Sequence, residues 1–156
     1  MATATETLKG MLQMASHFYI SDLKASSNDT LASKPGGAHR CPYDFTFELA
    51  TLNHVMAAQL RDATPPATPE SEGYMTAPPE FCNIDAACKA LTESIDDIAS
   101  ALDGLTDEGL EASLELWGRT WSKRELAGLA CIHLAYHDGQ LNYVQTAGGD
   151  LAVHWG

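Results

Sequence analysis

Two histidines stand four residues apart near the C-terminal end of this 156-residue chain, at His133 and His137. Residues four apart on an α-helix are neighbours, with Cβ atoms about 5–6 Å apart. Two imidazoles at that spacing can bind one metal ion at about 2.0–2.1 Å. The pair also falls on the inward stripe of a predicted helix, where buried imidazoles need hydrogen-bond partners or a shared cation. The two residues alone leave open a metal site or two polar residues on an ordinary helix.

A third ligand would have to come from another helix, and His54 is the best candidate. It lies within LATLNHVMAA, on the inward face of a second predicted helix. Three histidines on two helices, with one coordination position open, are typical of a catalytic metal site. Such a position can lower the pKa of a bound water or thiol, or polarise a carbonyl.

Other polar residues near the pair have weaker patterns. Gln140 lies three residues after His137 on the same face, where it could line a pocket, orient a ligand or make a polar contact within a bundle. Asp138 projects about 100° away from His137, so we expect a solvated carboxylate. No acidic general base is evident on the faces of the three histidines, and no catalytic residue is assigned. Three further histidines lie beside an apolar stripe, in a glycine-rich loop and in the terminal tail: His17, His39 and His154.

Four segments with helical periodicity must position these residues. They are expected at about Glu6–Lys24, Tyr43–Asp62, Pro79–Leu102 and, after a capping box of Ser122 and Glu125, up to Ala147. Two long connections rich in turn-forming residues, Ser26–Pro42 and Thr64–Pro79, separate the first three helices, and we expect the second to lie at the mouth of a pocket. The alternating stretch 110–121 predicts a short extended crossover before the last helix. The sequence therefore predicts an all-α four-helix bundle in a single domain covering residues 1–156.

Composition and charge narrow the classes of partner. Nine basic and twenty-one acidic residues give a net charge of −12, which argues against binding to nucleic acid or to an anionic membrane surface. No apolar run approaches the roughly 20 residues that span a bilayer, and the N-terminal residues lack the pattern of a signal peptide. The four cysteines form no C-x-x-C pair, and Cys88 and Cys131 fall in apolar helical stretches. We therefore expect a cytoplasmic protein with reduced thiols.

Two stretches of the chain resemble one known family. HLAYHDGQLNYVQTAGGD (133–150) and KPGGAHRCPYDFTFELATLNHV (34–55) are similar to the corresponding motifs of the DinB-like superfamily. The resemblance extends over nearly the whole chain and implies a four-helix bundle. It also implies a divalent metal ion, nickel or zinc most often, held by His54, His133 and His137. Gln140, from its place on the same face as His137, is the expected cofactor-binding residue.

The resemblance also carries expectations about function. It implies a metal-dependent enzyme that uses the open metal position for thiol transfer or hydrolysis of a small-molecule substrate, with a low-molecular-weight thiol as cosubstrate. It further implies a homodimer. The alternative is a non-enzymatic dimeric bundle that binds a small ligand or a partner protein.

Overall fold

The structure is a computed structural model that describes residues 2–34, 36–67 and 73–156. These residues form five α-helices and two short strands. The helices are α1 (Ala4–Ala25), α2 (Asn28–Ala32), α3 (Pro42–Leu60), α4 (Ile84–Asp103) and α5 (Lys123–Ala147). The antiparallel strands β1 (Ser113–Leu116) and β2 (Arg119–Ser122) lie between α4 and α5. The predicted all-α fold class is confirmed.

The four long helices pack in a ring, in which α1 and α3 each contact both α4 and α5. The core between them is built from large apolar side chains of every helix, among them Leu12, Leu49, Leu91 and Leu134, which are at most 1% exposed. Each such side chain contributes about 1.5–3 kcal/mol when it leaves water. None of the helices in the described ranges is long and apolar enough to cross a membrane.

The start of α5 is fixed by the capping box that the sequence predicts. The Ser122 hydroxyl accepts a hydrogen bond from the Glu125 amide at 3.1 Å, and the Glu125 carboxylate accepts one from the Ser122 amide at 2.8 Å. These bonds pair backbone donors that the first helical turn leaves free. The box therefore sets the residue at which α5 begins.

The boundaries of the other elements differ from expectation in local ways. The first residues of the helix predicted to begin at Pro79 form a separate 3-10 turn, Pro79–Phe81, and α4 begins at Ile84. The Asn83 side chain caps α4 by accepting a hydrogen bond from the Ala86 amide at 2.8 Å. The first connection contains the short helix α2. The second predicted loop, 64–79, includes residues 68–72, which lie outside the described residues.

The extended stretch before α5 is a hairpin. Trp117 and Gly118 join β1 to β2 with φ values of +53° and +69°. Two successive positive φ angles characterise the type I′ turn, whose twist matches that of paired strands. The chain therefore reverses direction here and enters α5 from the second strand.

The C-terminal tail folds back on α1. The Trp155 ring stacks on Phe18 with centroids 4.5 Å apart, and its indole N–H donates to Oδ2 of Asp22 at 2.6 Å. Asn142 Nδ2 of α5 donates to the same oxygen at 2.8 Å. The buried Asp22 carboxylate thus joins α1, α5 and the tail.

Candidate metal centre

A cavity of about 670 Å³ opens between the first half of α3 and the second half of α5. Residues from α3, from α5 and from two connections line it. They are Ala38, His39, Arg40, Phe45, Glu48, Met75, His133, Tyr136, His137, Gly139, Gln140, Tyr143 and Val144. Met75 belongs to the loop that the sequence placed at a pocket mouth.

Three side chains bring metal-binding atoms together in this cavity: Glu48, His133 and His137. The Nε2 atoms of His133 and His137 are 3.0 Å apart, and Oε1 of Glu48 is 3.4 Å from Nε2 of His133. Ligand atoms about 2.0–2.1 Å from a common ion lie about 2.9–3.4 Å apart in octahedral to tetrahedral geometry. Both distances fall within that range, and the third separation, from Nε2 of His137 to Oε2 of Glu48, is longer at 3.9 Å. The donor atoms all lie within 4.8 Å of one another, so these residues could hold a divalent ion.

The two helices position these donors by different means. The four-residue spacing on α5 places the imidazoles side by side, with ring centroids 4.7 Å apart. Phe45 of α3 stacks against the His137 ring with centroids 5.2 Å apart and planes 5° apart, which fixes the plane of the ring. Glu48 lies one turn after Phe45 on α3, and its carboxylate therefore reaches the same pair of histidines.

Gln140 determines which nitrogen of His137 faces the other donors. Its side-chain oxygen accepts from Nδ1 of His137 at 2.7 Å, and its amide nitrogen donates to the Tyr136 hydroxyl at 3.2 Å. A neutral imidazole protonated at Nδ1 has its lone pair on Nε2. Burial and the adjacent His133 lower the pKa of His137 well below its usual value, so this ring is neutral at neutral pH. Gln140 therefore directs the lone pair of His137 towards His133 and Glu48.

Arg40 provides the charge that holds Glu48 as an anion. Burial raises the pKa of Glu48, but its interactions with His133 and Arg40 outweigh burial and lower the pKa to about 2. Arg40 Nη1 binds Oε2 of Glu48, while Nη2 donates to the Asp44 carbonyl at 3.0 Å and Nε to the Met75 carbonyl at 3.1 Å. Oε1 is the oxygen of Glu48 that faces His133, whereas Nε2 of His137 lies 3.9 Å from Oε2, the oxygen that Arg40 binds.

His54 does not lie with this group. Its Nδ1 atom is 2.7 Å from Oδ2 of Asp97 on α4, and Arg61 donates to the other oxygen of Asp97 at 2.6 Å. Six residues separate His54 from Glu48, so their side chains project about 120° apart on the helix. His54 consequently faces α4, while Glu48 faces α5. The structure brings Glu48, in place of the predicted His54, to His133 and His137.

Two carboxylates differ from the expectations drawn from the sequence. No acidic residue was evident in the sequence on the same faces as the histidines, but the structure places Glu48 beside His133 and His137. A signal existed, because Glu48 is a charged residue in the middle of a helix that is otherwise largely apolar. Asp138, expected on the surface, is only 7% exposed. Burial and the neighbouring Asp22 raise the pKa of Asp138 to about 7.

The remaining histidines lie apart from the three donors. His17 is exposed on α1, where Nε2 donates to the Trp155 carbonyl at 3.1 Å. His154 lies 3.0 Å from the Asp150 carboxylate in the tail. His39 lines the cavity, and its Nδ1 contacts the Gly36 carbonyl. Cys88 and Cys131, which fall in apolar helical stretches of the sequence, are buried.

Comparisons with known proteins identify the fold. No protein-family model and no curated protein match this chain. Among solved structures, a conserved protein from Enterococcus faecalis is 15% identical, with a TM-score of 0.73 over 93% of this chain and 96% of that chain. A DinB-like protein from Bacillus subtilis is 17% identical, with a TM-score of 0.67 over 91% of this chain and 92% of that chain. At these identities the likeness concerns the fold alone, and on that ground this chain has the DinB-like fold.

Proposed function

We propose that this chain is a divalent-metal-dependent enzyme whose ion is held by Glu48, His133 and His137. The observation that carries the proposal is the convergence of three donor atoms of the right chemistry at the wall of a cavity large enough for a small molecule. Three protein ligands leave at least one coordination position for another group, as in catalytic metal sites. A bound divalent ion would supply Lewis-acid chemistry there, acting on a substrate group or on an attacking water or thiol.

The residues around the donors prepare the site for an ion. Gln140 fixes the tautomer of His137, and Phe45 fixes the plane of its ring. Arg40 binds one oxygen of Glu48, and the other oxygen lies 3.4 Å from Nε2 of His133. Outer partners of this kind orient metal ligands and raise metal affinity.

The donor set also bears on which metal binds. Nickel and zinc are the metals expected from the family resemblance. Two imidazoles and one carboxylate suit zinc, as in hydrolytic zinc sites, and also suit iron(II). Zinc therefore satisfies both arguments, and we propose it first.

Thiol transfer and hydrolysis are the two reactions proposed for the site. The test is a turnover assay with zinc-loaded protein, using bacillithiol, mycothiol, glutathione or coenzyme A with a chlorinated aromatic electrophile, and a parallel panel of ester and amide substrates. We expect turnover in one panel that disappears in Glu48→Gln and after chelation. Tight zinc binding without turnover in either panel would favour the binding-only alternative.

The homodimer implied by the resemblance is also a proposal. Light scattering coupled to size-exclusion chromatography measures it directly. We expect a mass twice that of the 16.7 kDa chain, and the monomer mass at all concentrations would overturn it.

A further inference from the structure

The cavity beside the three donors is much larger than a metal ion requires. Its volume of about 670 Å³ lies within the range of about 300–1,000 Å³ that is typical of sites for small organic molecules. The donors line one part of it, and side chains from α3, α5 and the loop at Met75 line the rest. The space therefore fits an organic ligand that extends away from the donors.

The polar part of the cavity would be positively charged when an ion is bound. Glu48 is the one carboxylate among the described residues that line the cavity, and Arg40 neutralises it. A divalent ion would then leave excess positive charge in a protein whose net charge is −12. An anionic group gains most from such a position, because its surroundings are partly shielded from water.

Most of the N–H donors of Arg40 already have partners, three of the five being bonded within the protein. Its guanidinium is already bonded to Glu48, to the Asp44 carbonyl and to the Met75 carbonyl. The open coordination positions of the ion are therefore the place for the anion, and Arg40 serves to balance the charge of Glu48.

The remaining walls are largely apolar. Phe45, Met75, Tyr143 and Val144 present rings or aliphatic groups to the cavity. Tyr143 is 67% exposed, so part of its ring is available for contact with a bound molecule. An apolar body about the size of one aromatic ring would remove these surfaces from water, which is favourable in proportion to the area covered.

We infer that the cavity binds an amphipathic monoanion, with the anionic head at the ion and an aromatic or aliphatic body against Met75, Tyr143 and Val144. This inference rests on the proposed function, because the ion supplies the recognition of the head. It narrows the substrate class to organic acids and related anions with an apolar tail.

The test measures binding of matched probes to zinc-loaded protein by calorimetry, after elemental analysis of the same sample. The probes are 4-phenylbutyrate, butyrate, which lacks the ring, and 4-phenyl-1-butanol, which lacks the charge. We expect 4-phenylbutyrate to bind at least about tenfold more tightly than either of the other two.

Two variants distinguish loss of a contact in the cavity wall from a general disturbance of α5. Tyr143→Ala should weaken binding of 4-phenylbutyrate several-fold and leave butyrate unchanged. Ile132→Ala is the control, since Ile132 is 65% exposed on the same helix and does not line the cavity. It should leave both affinities unchanged.

The outcomes distinguish this inference from the proposed function. Zinc-loaded protein that binds the three probes equally, or that responds alike to the two variants, overturns the inference alone. Protein that takes up no zinc overturns the proposed function and this inference with it.

Discussion

Glu48 is held between Arg40 on one side and two imidazoles on the other. Arg40 binds Oε2, and Oε1 faces Nε2 of His133 at 3.4 Å. The strongly lowered pKa means that the carboxylate stays ionised well below neutral pH. A fixed anion next to two imidazoles is a suitable environment for a divalent cation.

The first prediction for a single residue concerns Gln140. Gln140→Leu removes the acceptor for Nδ1 of His137, and we expect zinc affinity to fall about 10- to 100-fold. Gln140→Glu keeps an acceptor oxygen and should retain most of the affinity. Competition with a chromophoric chelator measures both values.

The control for this pair is Thr146→Ala, an exposed position on the same helix. It should bind zinc like the wild type. If Gln140→Leu binds zinc as tightly as Gln140→Glu, the tautomer argument fails, whatever the role of the three donors.

The sequence allowed part of this site to be predicted, and the reason is local geometry. His133, His137 and Gln140 share one face of one helix, which the 3.6-residue period determines without knowledge of the rest of the fold. Glu48 and His54 both lie on α3, and the choice between them depends on how α3 is rotated against α5. That rotation results from packing of the whole bundle, and periodicity within one helix does not determine it.

At the scale of elements, Asp44 joins the start of α3 to the loop that follows Met75. Its carboxylate accepts from the Ala77 amide at 3.0 Å and from the Cys41 amide at 3.2 Å, and it lies 3.1 Å from Lys34. Burial raises the pKa of Asp44, but these interactions outweigh burial and lower it. One side chain thus holds a helix start and a wall of the cavity in place.

We predict that Asp44→Asn lowers the free energy of unfolding by about 1–2 kcal/mol at pH 7. Because the pKa is depressed in the folded state, this contribution is present above the unfolded pKa of about 3.9 and is lost as pH falls through the folded value. The difference between variant and wild type should therefore shrink below about pH 4. Urea unfolding at several pH values measures it.

Glu93→Gln is the matched control, because this carboxylate is exposed and makes only a surface pair with Lys89. We expect a change within about 0.5 kcal/mol. An Asp44→Asn difference that is constant from pH 7 to pH 3 would contradict the assigned role of the ionised carboxylate.

The C-terminal tail gives a second prediction for an element. Trp155→Ala removes the stacking on Phe18 and one of the two side-chain donors to Oδ2 of the buried Asp22. We expect the free energy of unfolding to fall by about 1–3 kcal/mol. Leu151→Ala in the same tail, at an 81% exposed position, should change it by less than about 0.5 kcal/mol. Equal effects of the two substitutions would mean that the tail does not stabilise the bundle through Trp155.

The elements differ in how well the sequence predicts them. Helix α5 carries a capping box and a long periodic pattern, so its start and end were both predicted correctly. Helix α2 has only five residues, too few for periodicity to show. The hairpin lacks the Asn-Gly or Asp-Gly pair that usually indicates a type I′ turn. The tail contacts α1 through residues that are far apart along the chain, and no local sequence pattern predicts such a contact.

At the scale of the whole molecule, the bundle gives the site its two walls. The ring of helices brings the first half of α3 against the second half of α5, where an opening remains beside the donors. The four long helices and their order were predictable, because apolar periodicity indicates which segments share a core. The function was not, since proteins of one fold carry many chemistries.

The central claim is that Glu48, His133 and His137 form one site for a divalent ion, to which His54 does not contribute. The most direct measurement is zinc bound per chain, by elemental analysis after loading and dialysis, in wild type, Glu48→Gln, His133→Ala and His54→Ala. We predict about one zinc per chain in wild type and in His54→Ala, and far less in the other two. Zinc retained in Glu48→Gln and lost in His54→Ala would contradict the account.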